Sequence, residues 1–112
     1  MIGNRIRAYK SYVDFALEFN KGVKDNRLQG WSVPMNEKLS IAKNNFKLAG
    51  DEDGKEMFEN IFNSIDEIRA KQRNGELISS MELFNLTASM SRMLEHSKNS
   101  IAREVQKIKE TT

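Results

Sequence analysis

The 112-residue chain has no cysteine, which excludes disulfides, thiolate metal sites and thiol nucleophiles. It has a single proline, Pro34, and six glycines, with no Ser- or Gly-rich stretch that reads as a linker, so one domain over 1–112 is expected. No apolar run approaches the roughly 18 residues needed to span a bilayer. Met1-Ile2-Gly3-Asn4-Arg5 is not followed by the apolar block of a signal peptide. The expectation is a cytoplasmic chain without a membrane partner. Only one histidine is present, His96, flanked by Glu95 and Ser97. Consecutive helical positions point in different directions, so these three do not form a nucleophile, base and carboxylate set. The net charge of +2 is too small by itself to nominate a nucleic acid partner.

What is present is helix signal. Hydrophobic residues make up 38% of the chain against 30% charged, the balance of a folded domain rather than a disordered one. Ile2, Ile6, Tyr9, Val13, Ala16 and Val23 fall on one helical stripe, widened by Tyr12, Phe15 and Phe19, which predicts a first helix over about 2–28. So wide an apolar face needs at least two neighbouring helices or a partner. Gly22 marks a bend or early stop in it. Gln29-Gly30-Trp31-Ser32-Val33-Pro34 reads as a loop, with Pro34 in the first turn of the next helix. Met35, Leu39, Ala42, Phe46 and Ala49 predict that second helix over 35–49, closed by Gly50.

Asp53-Gly54-Lys55-Glu56 resembles a capping box, and Phe58, Ile61, Ile65 and Ile68 carry a third helix over 54–73, stopped by Asn74-Gly75. The last third is the strongest signal. Ile78-Ser79-Ser80-Met81-Glu82-Leu83 supplies a capping box and a hydrophobic staple. A stripe then runs Leu83, Leu86, Met90, Leu94, Ser97, Ile101, Val105, Ile108 over 80–110. That helix would be roughly 45 Å long, more than one small domain easily covers. Its spacing is not a clean heptad, and no credible strand is seen. The reading is all-α: an antiparallel bundle of about four helices with long first and last members, helices three and four pairing through their short link.

Charge is polarised along the chain. Residues 1–50 carry nine Lys or Arg against four acids, whereas 51–67 carries seven acids against one Lys. In the third helix acids lead and Arg69, Lys71 and Arg73 come after, the order favoured by the helix dipole. The acidic run beginning at Asp51 fails as an EF-hand: Lys55, Glu56 and Phe62 stand where an oxygen ligand, a glycine and a bidentate carboxylate are needed. Capping explains these acids, and no metal or other cofactor is expected. Asn85-Leu86-Thr87 matches a glycosylation acceptor only formally, since it lies inside a helix.

The stripes supply the candidate interaction residues. Phe15 and Phe19 on the first helix, and Met90, Met93, Leu94 and Ile101 on the last, are apolar positions with the least obvious cover within one chain. Trp31 is an aromatic anchor for a partner or a cap on the bundle end, aided by Arg27 and Lys38. Ser97 is a polar position in the stripe, either simply tolerated there or setting register between packed helices. Lys38, Lys43 and Lys47, with Trp31, form the alternative nucleic-acid contact.

Residues 75–108, with Ser80-Met81-Glu82-Leu83, Met90-Ser91, Ser97 and Val105-Gln106-Lys107-Ile108-Lys109, resemble the C-terminal helix of type III secretion needle and inner-rod subunits over under a third of the chain. The resemblance implies a helical subunit that polymerises in a secretion conduit through its C-terminal helix. From the residues themselves the leading expectation is a non-enzymatic helical adaptor, inhibitor or regulatory subunit. It would dock an apolar helix face on a protein partner or on itself. A nucleic-acid regulator using the basic second helix is the alternative, and a secretion-assembly subunit the lesser one.

Overall fold

The computed structural model describes residues 2–24, 27–28 and 31–111. Its elements are α1 (Ile2–Lys21), β1 (Val23–Lys24), β2 (Arg27–Leu28), α2 (Val33–Leu48), α3 (Glu52–Arg73) and α4 (Ser80–Thr111). The four helices form an up-down-up-down bundle measuring 54 × 23 × 22 Å.

Pairings along the molecule set the directions. In α1 against α2, Asn4 Nδ2 donates to the Leu48 carbonyl at 3.2 Å, and Glu18 meets Lys38 at 3.6 Å. In α1 against α4, Arg5 pairs with Glu104 at 3.7 Å, while the Tyr12 hydroxyl donates to the Met90 carbonyl at 2.8 Å. At the link between α3 and α4, Lys71 Nζ meets Glu82 Oε2 at 2.7 Å. Helix α1 packs closely on both α2 and α4, as its wide apolar face requires, and α3 closes the square diagonally opposite it.

Each helix start has a local cause. Ser32 caps α2, its side chain accepting from the Met35 amide, with Pro34 in the first turn. Asp51, rather than Asp53, caps α3 by accepting from the Gly54 amide, so the helix begins two residues before the sequence expectation. Ser79 accepts from the Glu82 amide as expected, and the Glu82 carboxylate answers the Ser79 backbone while also taking the Ser79 hydroxyl and Lys71. Gly50 and Gly75 adopt left-handed φ of 69° and 73°, turning the chain after α2 and α3.

Two expectations are corrected. The first helix stops at Lys21 rather than Leu28, with the Gly22 amide bonded to the Phe19 carbonyl, and the chain then forms a short antiparallel ladder pairing Val23 with Leu28 and Lys24 with Arg27. Strands of two residues leave no alternating pattern to detect, although Asp25-Asn26 between them are turn-favouring residue types. Residues 29 and 30 of the expected loop lie outside the described residues.

The second correction concerns α4. Its buried positions are Leu83, Leu86, Met90, Met93, Ser97, Ser100 and Glu104, alternating three and four apart without a break. Met35, Leu39, Ala42, Phe46 and Ala49 repeat the pattern, and so do Gly54, Phe58, Ile61, Ile65 and Ile68. This is the heptad packing of left-handed helical bundles. Met93, Ser100 and Glu104 lie innermost, whereas Leu94 and Ile101 sit at the edge of the core and Val105 is exposed. Adjacent positions differ by about 100° on a helix, so the placement of α1 and α3 decides which of each pair is buried.

Aromatic rings fill the centre. Phe46 stacks on Phe58 with centroids 5.0 Å apart, Tyr9 meets Phe46 edge-on at 5.5 Å, and Tyr12 meets Phe58 at 6.3 Å. Such pairs contribute about 0.5–1.5 kcal/mol each beyond burial of their area.

Candidate interaction surface

The apolar residues nominated from sequence as interface are drawn mostly into the chain's own core. Phe15, Phe19, Met90 and Met93 are buried, and Leu94 and Ile101 pack partly against that core. Pairing of α4 with α1 reaches Glu104, so the length of α4 is covered from within over most of its span.

Trp31 is half-buried at the opposite end of α1. Its ring lies 5.9 Å from Phe19 and under Arg69, while Nε1 donates to Gln72 Oε1 at 2.8 Å. It thereby ties the start of α2 to the end of α3, closing the bundle end. Arg69 is the cation over its ring; the Arg27 side chain lies outside the described residues.

The basic residues do not assemble as one face. Lys38 turns toward Glu18 of α1, whereas Lys43 and Lys47 line a groove of about 240 Å³ between α2 and α3 together with Lys55, Glu59 and Phe62. Lys43 Nζ stands 4.4 Å above the Phe62 ring. Five positions separate Lys38 from Lys43, about 140° around the helix, which is why they face different neighbours.

A polar cluster that sequence reasoning missed joins three helices. The Tyr9 hydroxyl donates to Asp51 Oδ2, which leaves its oxygen lone pairs to accept from the Nε2–H tautomer of His96 at 3.2 Å. Burial raises the Tyr9 phenol above its ordinary value, and the Asp51 carboxylate adds to the effect. At Asp51 burial pushes the carboxyl up, but hydrogen bonds from Tyr9 and the Gly54 amide, with the charges of Arg5 and His96, outweigh it and hold the group below its ordinary value. Next to this cluster a cleft of about 260 Å³ is lined by Arg5, His96, Ser100, Arg103, Glu104 and Lys107. Acids and bases alternate there, so the cleft presents no single sign to a ligand. Among the described residues no group of three or more His, Asp or Glu lies close enough to hold a metal ion.

Large apolar side chains are left exposed elsewhere, Val33 and Leu48 on α2 among them. Leu77 in the link between α3 and α4 is 95% exposed, and Met81 and Phe84 on the outer side of the first turns of α4 are 66% and 67% exposed. Beside them a hole of about 220 Å³ is lined by Val23, Ser80, Leu83, Phe84 and Thr87. Only Met81 carried a sequence signal, as a methionine next to the stripe. Leu77 and Phe84 lie off the stripe, and periodicity identifies buried faces rather than outward ones.

No protein-family model matches the chain, and comparison with curated proteins and with solved structures found no match. The resemblance of 75–108 to secretion needle and rod subunits therefore rests on local residue spacing alone. No helix among the described residues is long and apolar enough to cross a membrane.

Proposed function

We propose that the chain is a non-enzymatic helical interaction module that docks on protein through the corner formed by Leu77, Met81 and Phe84. The observation that carries this reading is the exposure of three large apolar side chains within eight residues, whereas the other large apolar side chains left more than half exposed, Leu17, Val33, Ile41 and Leu48, are spread along α1 and α2. Each apolar group left in water forgoes about 25 cal/mol per Å² of burial, and clusters of such groups mark association sites more often than single ones do. The support for a rigid docking element is the capping at Ser79 and the Lys71–Glu82 pair, which hold the link and the first turn of α4 in place.

The nucleic-acid reading has less behind it. Lys43, Lys47 and Lys55 share a groove, but Lys38 is engaged with Glu18 and Trp31 with Gln72, and the neighbouring outer positions of α3 are acidic. The test of the docking reading is a photoreactive amino acid placed at position 81 of the full chain, irradiated in extract of the native host. Discrete protein adducts that vanish on Phe84→Asp, with helical circular dichroism unchanged, are expected. Diffuse labelling, or adducts indifferent to Phe84→Asp, would overturn it.

A further inference from the structure

We infer that the groove between α2 and α3 is a binding site for a small aromatic anion, distinct from the apolar corner at the start of α4. Its floor is built of rings. Phe46 and Phe58, both buried, stack with centroids 5.0 Å apart and planes 19° from parallel, and half-buried Phe62 adjoins Phe58 at 6.2 Å. Lys43, Lys47 and Lys55 stand around that floor with Glu59, so three cations face one carboxylate and two positive charges have no answering acid in the groove.

Charge is the first observation that points to a ligand. Lys21, Lys38, Lys71 and Lys107 pair with acids, whereas Lys43, Lys47 and Lys55 form no ion pair among the described residues. Lys43 and Lys47 are four apart on α2 and line the same groove as like charges, an arrangement that works against the helix unless an anion answers both.

The second observation is what the lysines surround. A cavity of about 150 Å³ takes a benzene ring, so the groove's volume of about 240 Å³ has room for a flat body of two fused rings. Rings set against Phe46, Phe58 and Phe62 gain offset or edge-on contacts. Lys43 Nζ already stands 4.4 Å above the Phe62 ring, the geometry in which an ammonium meets an aromatic face, and an incoming ring offers it another.

Lysine is a compact charge on a flexible stem with rotatable donors, so the head group is selected by charge rather than by shape, and sulfonate, carboxylate or phosphate serves. Size is selected by the surroundings. Exposed Glu52, Asp53 and Glu56 lie about Lys55 on α3, and exposed Asp66 and Glu67 follow further along. A polyanion extended along α3 therefore meets like charge on both sides of the groove, whereas an anion confined to the groove does not.

The experiment is titration of the full chain with naphthalene-1-sulfonate, followed by backbone amide correlation spectra. Saturable shifts confined to 43–47 and 55–63 are expected, with a dissociation constant below about 1 mM. Naphthalene-1-methanol, which lacks the charge, and cyclohexanesulfonate, which lacks the aromatic ring, should each bind at least about tenfold more weakly. Lys43→Gln combined with Lys47→Gln changes two exposed side chains and should weaken the sulfonate at least about tenfold. Lys10→Gln combined with Lys98→Gln removes the same charge from exposed positions outside the groove and should leave binding within about twofold. Absence of saturable shifts, shifts centred on other residues, or equal binding of either control ligand overturns the inference. So does a loss in the Lys10 and Lys98 variant that matches the loss in the groove variant. A single-stranded oligothymidylate that shifts the same amides at lower concentration than the sulfonate would assign the groove to nucleic acid and overturn the small-ligand reading. Each result is independent of crosslinking from position 81, which reports on a different surface.

Discussion

Gly54 shows how one residue can be dictated from two sides. It occupies the first turn of α3, where an alanine would gain about 1 kcal/mol of helix propensity. A Cβ there would collide with the Tyr9 hydroxyl and approach its Cζ to 3.0 Å, and that ring is pinned between Asp51 and His96. Overpacking costs typically about 1–3 kcal/mol, which less the propensity gain of about 1 kcal/mol means that Gly54→Ala should lower stability by up to about 2 kcal/mol in urea unfolding. The loss should shrink in a Tyr9→Phe background, and an equal loss in both backgrounds would place the conflict elsewhere. The same cluster predicts the pH response. Asp51 holds its proton less tightly in the folded state, so its contribution is full above the ordinary carboxylate range and is lost as pH falls through and below it. Tyr9 and Tyr12 hold their phenolic protons more tightly when folded, chiefly through burial, so stability is full below about pH 10 and falls above it. Tyrosinate absorbance should therefore appear together with loss of helical signal at alkaline pH. Tyrosinate appearing ahead of unfolding would contradict the assigned burial. None of this was legible in the sequence, because residues 9, 51 and 96 are distant along the chain and meet only when three helices pack.

At the scale of the element, α4 changes chemistry midway along its buried row. Leu83, Leu86, Met90 and Met93 give way to Ser97, Ser100 and Glu104. The Ser97 hydroxyl and Glu104 Oε2 are buried without hydrogen-bond partners. A buried hydroxyl with no partner keeps its desolvation cost, so Ser97→Ala should raise stability by up to about 1 kcal/mol. A loss of that size instead would mean the hydroxyl makes a bond in solution. Removing the cap at the other end, Ser79→Ala, should cost about 1 kcal/mol, readable by thermal or urea unfolding. The helix starts near Ser79 and Pro34 and the stops near Gly50 and Gly75 could be read from sequence, since caps and left-handed glycines act within a few residues. The innermost row of α4 could not. Leu94, Ile101 and Val105 outrank Met93, Ser100 and Glu104 in apolarity, and only the positions of α1 and α3 decide the rotation of α4 between them.

For the whole molecule, α1, α2 and α3 contribute rings to one aromatic core on which the apolar row of α4 packs, and Trp31 ties the start of α2 to α3 and to Phe19 of α1. Unfolding should accordingly be a single transition in which Trp31 fluorescence and far-ultraviolet circular dichroism coincide. Separate midpoints would show that the Trp31 end opens independently. By itself the sequence determined the helical class, the order of the four helices and most of their boundaries, because capping, glycine geometry and amphipathic period are local properties. It also determined that helices three and four are joined by a short link. Which apolar residues remain outside was decided by tertiary structure. Phe15, Phe19, Met90 and Met93 are as hydrophobic as Leu77, Met81 and Phe84, yet the first group is consumed in mutual packing and the second is left on the surface. The difference is set by the angle each helix presents to its neighbours, which is a property of the packed bundle and of no single segment.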